Sequence, residues 1–389
     1  MEVDSAAMSR PPTVSAPGAA VTRRRFCGHL AAAAAGVAVG ASVSSHGEAL
    51  AFGQNSAPSR RRATIGSRRI TVVDVHGHAF VPEVWELVKD TPLASSARNS
   101  LTGAIALGPG LDARLAYMDR EGIDYQVISV NAWGYSAERS LARDLVQVQN
   151  EQIAKTCAAH RDRFIGMAAL ALQHPDLAAD QLDAAVNKLG MKAAAIGGSV
   201  EGIELSDRRF DPFWAKAEQL GVMIFMHPQN AAGTTQNARL QGKGVLGNTI
   251  GNPLETTVFL SHLIFEGVLD RFPGLKICGA HGGGYLPSYS GRSDALCGRG
   301  GAPGADCNSL KQKPSAYFRG PLYVDTMVFH DEGLRHLVAE VGADHVFYGT
   351  DYPFDWPVGI DFVLNSSFLN VEQKEAILGG NLVKLLRIA

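Results

Sequence analysis

Four clusters of metal-ligating side chains follow one another along the chain: His76-Gly77-His78, His227-Pro228, His281 ahead of three glycines, and Asp351 within Gly349-Thr350-Asp351-Tyr352-Pro353. Each follows a short β-branched or apolar run, which predicts that each stands at the C-terminal end of a strand. Residues two apart on a strand share a face, so His76 and His78 can aim both imidazoles at one ion. Neutral imidazoles with one carboxylate suit a borderline divalent cation such as zinc, with manganese as the other candidate, and a catalytic ion keeps one position open. The expected ligands of a single divalent ion are His76, His78, His227 and Asp351. That leaves His281 free for proton work, and Asp351 can move between metal ligand and proton carrier.

The elements that must carry these clusters alternate regularly. Strand patterns occupy Ile70 to Val75, Tyr125 to Val130, Arg163 to Leu170, Met191 to Ile196, Val222 to Met226, Leu275 to Ala280, Leu322 to Asp325 and Val346 to Gly349. Helical patterns lie between them at Ser140 to Ala159, Leu177 to Leu189, Pro212 to Leu220, Glu255 to Arg271 and Glu332 to Val341, and Val371 to Leu386 closes the chain. Eight such units predict a (β/α)8 TIM barrel, with a doubly wound open sheet as the alternative. The clusters follow strands one, five, six and eight. Barrel closure brings strands one and eight together, whereas an open sheet would hold the ligands apart. Asp74 shares the predicted face of His76 and His78, where it would orient them. Trp133, Tyr135 and Phe354 are candidate pocket residues, and His330 is another after the seventh strand.

Composition narrows the function. With 389 residues, 46% apolar, 19% charged and a formal charge of −2, the chain is globular with no basic excess, which excludes a nucleic-acid partner and favours a small-molecule one. Arg23-Arg24-Arg25-Phe26, an Ala/Gly-rich stretch and Ala49-Leu50-Ala51 make residues 1–51 a twin-arginine type signal peptide. The apolar stretch is too short for stable membrane insertion. Residues 52–70 read as a basic linker and 71–389 as the barrel. The expected partners thus include the twin-arginine export machinery, and the expected location is periplasmic or extracellular. In that oxidising setting Cys297 and Cys307 can close a disulfide around a Gly-rich segment, while Cys157 and Cys278 read as buried thiols. No Cys-x-x-Cys pair occurs, so a cysteine zinc cluster is not expected.

From His227 onward, Asn252-Pro253-Leu254-Glu255-Thr256-Thr257, Phe272-Pro273-Gly274-Leu275-Lys276, Ala280-His281-Gly282-Gly283-Gly284 and Gly349-Thr350-Asp351-Tyr352-Pro353-Phe354 resemble the aminocarboxymuconate-semialdehyde decarboxylase branch of the amidohydrolase superfamily. Val73-Asp74-Val75-His76-Gly77-His78 extends the resemblance to roughly residues 72 to 386. It implies the same metal ligands, His281 as base, a homodimer, and Arg292 binding a carboxylate of the small-molecule substrate across the dimer interface. The implied activity is metal-dependent non-oxidative decarboxylation of a carboxylated aromatic or muconate-type acid. Two departures bear on the pocket: the branch's second carboxylate-binding arginine has only Arg98 as a counterpart, and Gln229 stands where the named decarboxylase carries an aromatic residue. A hydrolase of a lactone, amide or dicarboxylate is the main rival. The lysine that bridges two ions in some amidohydrolases has no counterpart, since Lys192 begins the fourth strand instead of ending it, and this favours one ion and decarboxylation. An exported, non-catalytic solute- or metal-binding protein is a further alternative.

Overall fold

The computed structural model describes residues 60–98, 101, 103–229, 237–297, 307, 309–354, 356–357 and 359–388; the proposed leader lies outside them. Eight strands form one parallel sheet: β1 (Val73–Ala79), β2 (Tyr125–Val130), β3 (Phe164–Ala168), β4 (Ala193–Ile196), β5 (Met223–Met226), β6 (Lys276–Gly279), β7 (Leu322–Asp325) and β8 (Val346–Phe347). Every strand pairs with its neighbour in sequence, so the sheet order is the chain order. Past the end of β8 the backbone turns onto β1: Val75 N–H donates to Tyr348 O at 2.9 Å, His78 N–H to Tyr352 O at 3.0 Å and Tyr352 N–H to His76 O at 3.2 Å. These bonds close the barrel, and the open-sheet alternative is set aside.

Alternation along the strands builds two cores. Val127, Met167, Ala193, Ala195, Met223, Phe225, Cys278 and Phe347 fill the barrel interior, joined by Leu382 and Leu386 of the terminal helix. The residues between them, such as Ile128, Ala194, Ile224, Ile277 and Val324, pack outward against Met118, Leu182, Trp214, Leu260 and Leu337 of the helices. Burying a large aliphatic or aromatic side chain contributes about 1.5–3 kcal/mol, so this double layer is the main stabilising term.

One irregularity positions the chemistry. Asp74 pairs with Gln126 but Gly77 pairs with Ile128, so Val75 and His76 together oppose Val127. Such a bulge reverses the alternation of everything after it. Val73 and Val75 point into the barrel before the bulge, whereas His76 and His78 point inward after it. Asp74 therefore lies on the outer face, which corrects the sequence reading that placed it with the two histidines. Gly77 also faces outward, where a Cβ would stand 2.7 Å from Gln126 Cδ, so a larger residue between the histidines would have to displace Gln126.

Two other boundaries differ from expectation. The basic segment read as linker is docked on the barrel from Arg60 onward. A short hairpin of Thr64–Ile65 and Arg68–Arg69 sits between buried Ala63 and Ile70, while Arg60 and Arg69 pair with Asp124 at 2.8 and 2.5 Å. The last helix is broken into Val371–Glu375, a π turn Ala376–Gly380, and Asn381–Leu386. Its turn presses against β1, where a Cβ on Gly379 would stand 2.2 Å from Thr71 O, and Ile377 O accepts from Tyr348 N at 2.9 Å. Among the described residues no helix is long and apolar enough to cross a membrane.

Candidate metal centre and active site

The four clusters converge inside the C-terminal mouth of the barrel. Ring centroids lie 4.6 Å apart for His78 and His227, 5.0 Å for His76 and His227, 5.2 Å for His227 and His281, and 5.4 Å for His76 and His281. Asp351 Oδ1 stands 2.6 Å from His78 Nε2 and 3.2 Å from His76 Nε2, and its Oδ2 lies 3.9 Å from His281 Nε2. Single ligand atoms of His76, His227, His281 and Asp351 all fall within 4.8 Å of one another. That set contains His281 where sequence reasoning placed His78, whose Nε2 lies 2.6 Å from Asp351 Oδ1. All five side chains meet at one point nonetheless.

Tight backbone sets the second half of this cluster. His281 and Asp351 both adopt left-handed conformations, with φ of 57° and 55°, which non-glycine residues rarely do and which the surroundings must hold in place. Asp325, at the end of β7, does this for His281: its Oδ2 accepts from His281 N at 3.1 Å, and its Oδ1 from Gly282 N at 2.8 Å and Met327 N at 3.1 Å. The glycines that follow are required by space, because a Cβ on Gly284 would lie 2.1 Å from Pro253 O of the adjoining helix Asn252–Phe265.

The donor set fits a divalent cation. Asp325 Oδ2 binds His76 Nδ1 at 2.8 Å, and Pro228 O lies 2.9 Å from His227 Nδ1, so both rings carry their proton on the far nitrogen. Their Nε2 atoms, buried and without a hydrogen-bond partner, present lone pairs to the centre of the cluster. Carboxylate or carbonyl support of the remote nitrogen is the usual outer arrangement of a metal-binding histidine. The electrostatics agree. Burial opposes charge on His76, but the Asp351 and Asp325 carboxylates overcome it and raise the imidazole to about 10, so a cation bound at its Nε2 would take the place of a proton. Burial and the neighbouring histidines push His227 well down, and burial is also the largest influence lowering His78. At Asp351 burial pushes upward, yet His76, His281 and His78 hold the carboxyl far below the usual carboxylate range. Positive charge is thus favoured at the one point on which these groups converge.

A second network on the outer face locks β1 to β8 behind the site. Asp74 Oδ1 accepts from the backbone N–H of His76 and Thr350, both at 3.0 Å, and its Oδ2 from Gln126 Nε2 at 2.7 Å and Thr350 Oγ1 at 2.6 Å. Arg114, from helix Leu111–Glu121, binds Gln126 Oε1 at 2.7 Å and His78 O, with its guanidinium 4.3 Å from the Tyr352 ring centroid. Asp325, Arg114 and Gln126 were not singled out in the sequence. Asp325 at the C-terminal end of a barrel strand was the one with a positional signal.

Above the cluster opens a cavity of about 780 Å³, lined by His78, His227, His281 and Asp351 at its floor and by Phe80, Asn131, Trp133, Tyr135, Gln229, Asn252 and Phe354 on its walls. The candidate pocket residues Trp133, Tyr135 and Phe354 are all there. Gln229 braces the wall: its backbone N–H donates to both oxygens of Glu255 at 2.9 and 3.0 Å, and its amide to Ala132 O at 2.8 Å. Arg292 is exposed on helix Ser290–Cys297 and does not line the cavity of its own protomer. Arg98 lies over the Trp85 ring instead, and His330 caps helix Asp331–Val341 at the surface. Lys192 is exposed ahead of β4, away from the cluster, so it supplies no bridge for a second ion.

The convergence of four histidines and an aspartate at strand ends of a closed barrel is matched by family comparison, in which an amidohydrolase model covers residues 73–388. The chain belongs to the amidohydrolase family. Decarboxylases are among its similar relatives. This amidohydrolase is 33% identical over 282 residues to a 2-amino-3-carboxymuconate-6-semialdehyde decarboxylase of Dictyostelium discoideum, covering 71% of this chain and 76% of that one. It is 34% identical over 258 residues to a gamma-resorcylate decarboxylase of Rhodococcus jostii, covering 63% and 77%. A solved dihydroxybenzoic acid decarboxylase from a Polaromonas species, with bound manganese and the inhibitor 2-nitroresorcinol, superimposes with a TM-score of 0.68 at 26% identity over 82% of this chain and 97% of that one. Fold, family and carboxy-lyase class agree with the sequence reading.

Proposed function

We propose that this amidohydrolase removes carbon dioxide without oxidation from a hydroxylated aromatic carboxylic acid, using one divalent ion held by His76, His78, His227 and Asp351. The observation that carries this reading is the pair of buried imidazole nitrogens, His76 Nε2 and His227 Nε2, that lack a hydrogen-bond partner and cluster with Asp351 at the base of the cavity. When bound there, the ion supplies Lewis-acid polarisation of a substrate oxygen. The protein's own groups do the rest. Phe80, Pro228 and Phe354 offer apolar surface to an aromatic ring. Asn131 Oδ1, Asn252 Oδ1 and Trp133 Nε1 are buried polar atoms of the wall with no intramolecular partner, suited to ring hydroxyls. As the bond from ring carbon to carboxylate breaks, its electron pair stays on the ring carbon, which takes a proton. His281 delivers that proton to the ring carbon, and the Asp351 carboxylate, with Oδ2 3.9 Å from His281 Nε2, favours the protonated imidazole.

Zinc is the proposed ion on the imidazole-rich donor set, with manganese the alternative seen in the Polaromonas relative. We further propose a homodimer in which the exposed Arg292 of a second copy reaches the cavity and anchors a carboxylate by its planar fork. Export through a twin-arginine signal in residues 1–51 is supported by the Cys297–Cys307 disulfide, a bond that persists in oxidising compartments.

The test is carbon dioxide release from a panel of hydroxybenzoic and muconate-type acids by metal-quantified protein, run beside lactone hydrolysis. Metal-dependent release from a hydroxybenzoate is the expected result; lactone opening without carbon dioxide would transfer the protein to the hydrolases. Replacement His281→Ala is expected to lower turnover by about two to four orders of magnitude while metal content stays at the parental level. Loss of the metal would make His281 a ligand.

A further inference from the structure

Two exposed loops meet over the metal centre through aromatic side chains, of which the proposed reaction uses only Phe354. The loop after β7 carries Asp325 at its base and Phe329 at its tip; the loop after β8 carries Asp351 at its base, then Phe354 and Trp356. Phe329 and Trp356 pack with ring centroids 5.1 Å apart, Trp356 and Phe354 at 6.0 Å, and Phe354 approaches His78 edge to face at 6.2 Å. Phe329 is 44% exposed and holds a left-handed backbone with φ of 55°. An aromatic residue held in that conformation at a surface asks for a reason beyond core packing.

The polar end of Trp356 supplies one. Its indole Nε1–H donates to Asp351 Oδ2 at 3.1 Å. Asp351 Oδ1, by contrast, faces His76 and His78. The two oxygens of the one carboxylate in the cluster are therefore distinguished: Oδ1 looks toward His76 and His78, and Oδ2, 3.9 Å from His281 Nε2, is tied to the outer loop. We infer that Trp356 is a positioning residue for the metal-binding carboxylate, holding Oδ2 so that Oδ1 stays turned toward His76 and His78, and that the Phe329–Trp356 contact couples this restraint to the loop anchored by Asp325. Because Asp325 fixes His76 and His281 while Trp356 fixes Asp351, the clip joins the supports of three of the site's groups. The inference rests on the metal-site reading above.

The experiment compares wild-type protein with Trp356→Phe, which keeps an aromatic ring but removes the donor, and Phe329→Leu, which loosens the clip but keeps the donor. Dissociation constants for zinc and for manganese are measured by chelator competition, and the indole N–H resonances of the four tryptophans are followed by nitrogen-15 NMR with and without zinc. Trp356→Phe is expected to weaken metal binding about tenfold or more, the size typical of removing an outer-sphere partner, with an unchanged thermal unfolding profile of the metal-free protein. Phe329→Leu is expected to weaken it less. The indole resonance absent from Trp356→Phe should be slow to exchange with solvent in the wild type and should shift on zinc addition. Equal metal affinity in Trp356→Phe and wild type, or a freely exchanging resonance that ignores zinc, overturns the inference. A wild-type protein that binds neither ion overturns instead the metal-site reading on which it depends.

Discussion

Replacing Asp325 by Asn tests the support of the site while leaving its volume unchanged. The carboxylate is fully buried and accepts four hydrogen bonds, two per oxygen: Gly282 N and Met327 N on Oδ1, His76 Nδ1 and His281 N on Oδ2. An asparagine presents only one oxygen, so whichever way its amide turns, two donors face an NH2 group. If the NH2 faces His76, the ring must accept at Nδ1 and carry its proton on Nε2, which removes the lone pair that a cation needs. If the NH2 faces Gly282 and Met327, the turn that holds His281 left-handed loses its acceptor. Hydrogen bonds to a charged group contribute about 1.5–3 kcal/mol each, so two lost bonds cost about 3–6 kcal/mol. Relief from burying a charge offsets part of this. The expected net loss of stability is about 2–3 kcal/mol. The same change should weaken zinc binding about ten- to hundredfold, equivalent to about 1.4–2.7 kcal/mol. Thermal unfolding of the metal-free protein reads the first quantity and chelator competition the second. An Asp325→Asn protein with parental zinc affinity and parental unfolding temperature would refute the assignment of Asp325 as the support of both histidines.

Gly77→Ala should destabilise the protein by about 1–3 kcal/mol, because the new Cβ meets Gln126, 2.7 Å away, and displaces it from Asp74 and Arg114; an unchanged denaturant midpoint would contradict the packing argument. Burial raises the Cys157 thiol to about 12 and Cys278 well above its ordinary range, so each carries almost no thiolate at pH 8. Cys278, fully buried in the barrel interior, should therefore escape alkylation in the native protein and react after denaturation, as read by mass spectrometry, while Cys157, only half-buried where the sequence reading expected a buried thiol, should label slowly; rapid native labelling of Cys278 would contradict its packing. Reduction should release two further thiols from Cys297 and Cys307.

Much of the architecture was legible because local pattern and tertiary requirement coincide. A parallel barrel strand is buried on both faces, so it reads as a short apolar run between helices, and all eight were found with ends shifted by at most a few residues. The site was legible for a related reason: barrel enzymes place functional groups where strands end, so histidines and an aspartate at those points stand out against an apolar background. The terminal helix was read as continuous because no proline interrupts it; the Gly379-Gly380 pair was the local sign of its break, and the π turn there follows the close approach to Thr71 and Val73, which only packing reveals.

What the sequence by itself determined is the inventory and its order: eight strand-helix units, the ligand types, and the strands that bear them. Three matters were decided by tertiary structure. The bulge at Val75 and His76 turned both histidines inward and sent Asp74 outward, a change of face that strict two-residue periodicity cannot anticipate. Asp325, 249 residues from His76, became the partner that fixes its tautomer. Arg292 was left on the surface, outside the cavity of its own chain. Periodicity is a property of neighbours along the chain. Hydrogen-bond partnership inside a closed barrel, and the face a residue shows after a bulge, depend on atoms brought together only by folding.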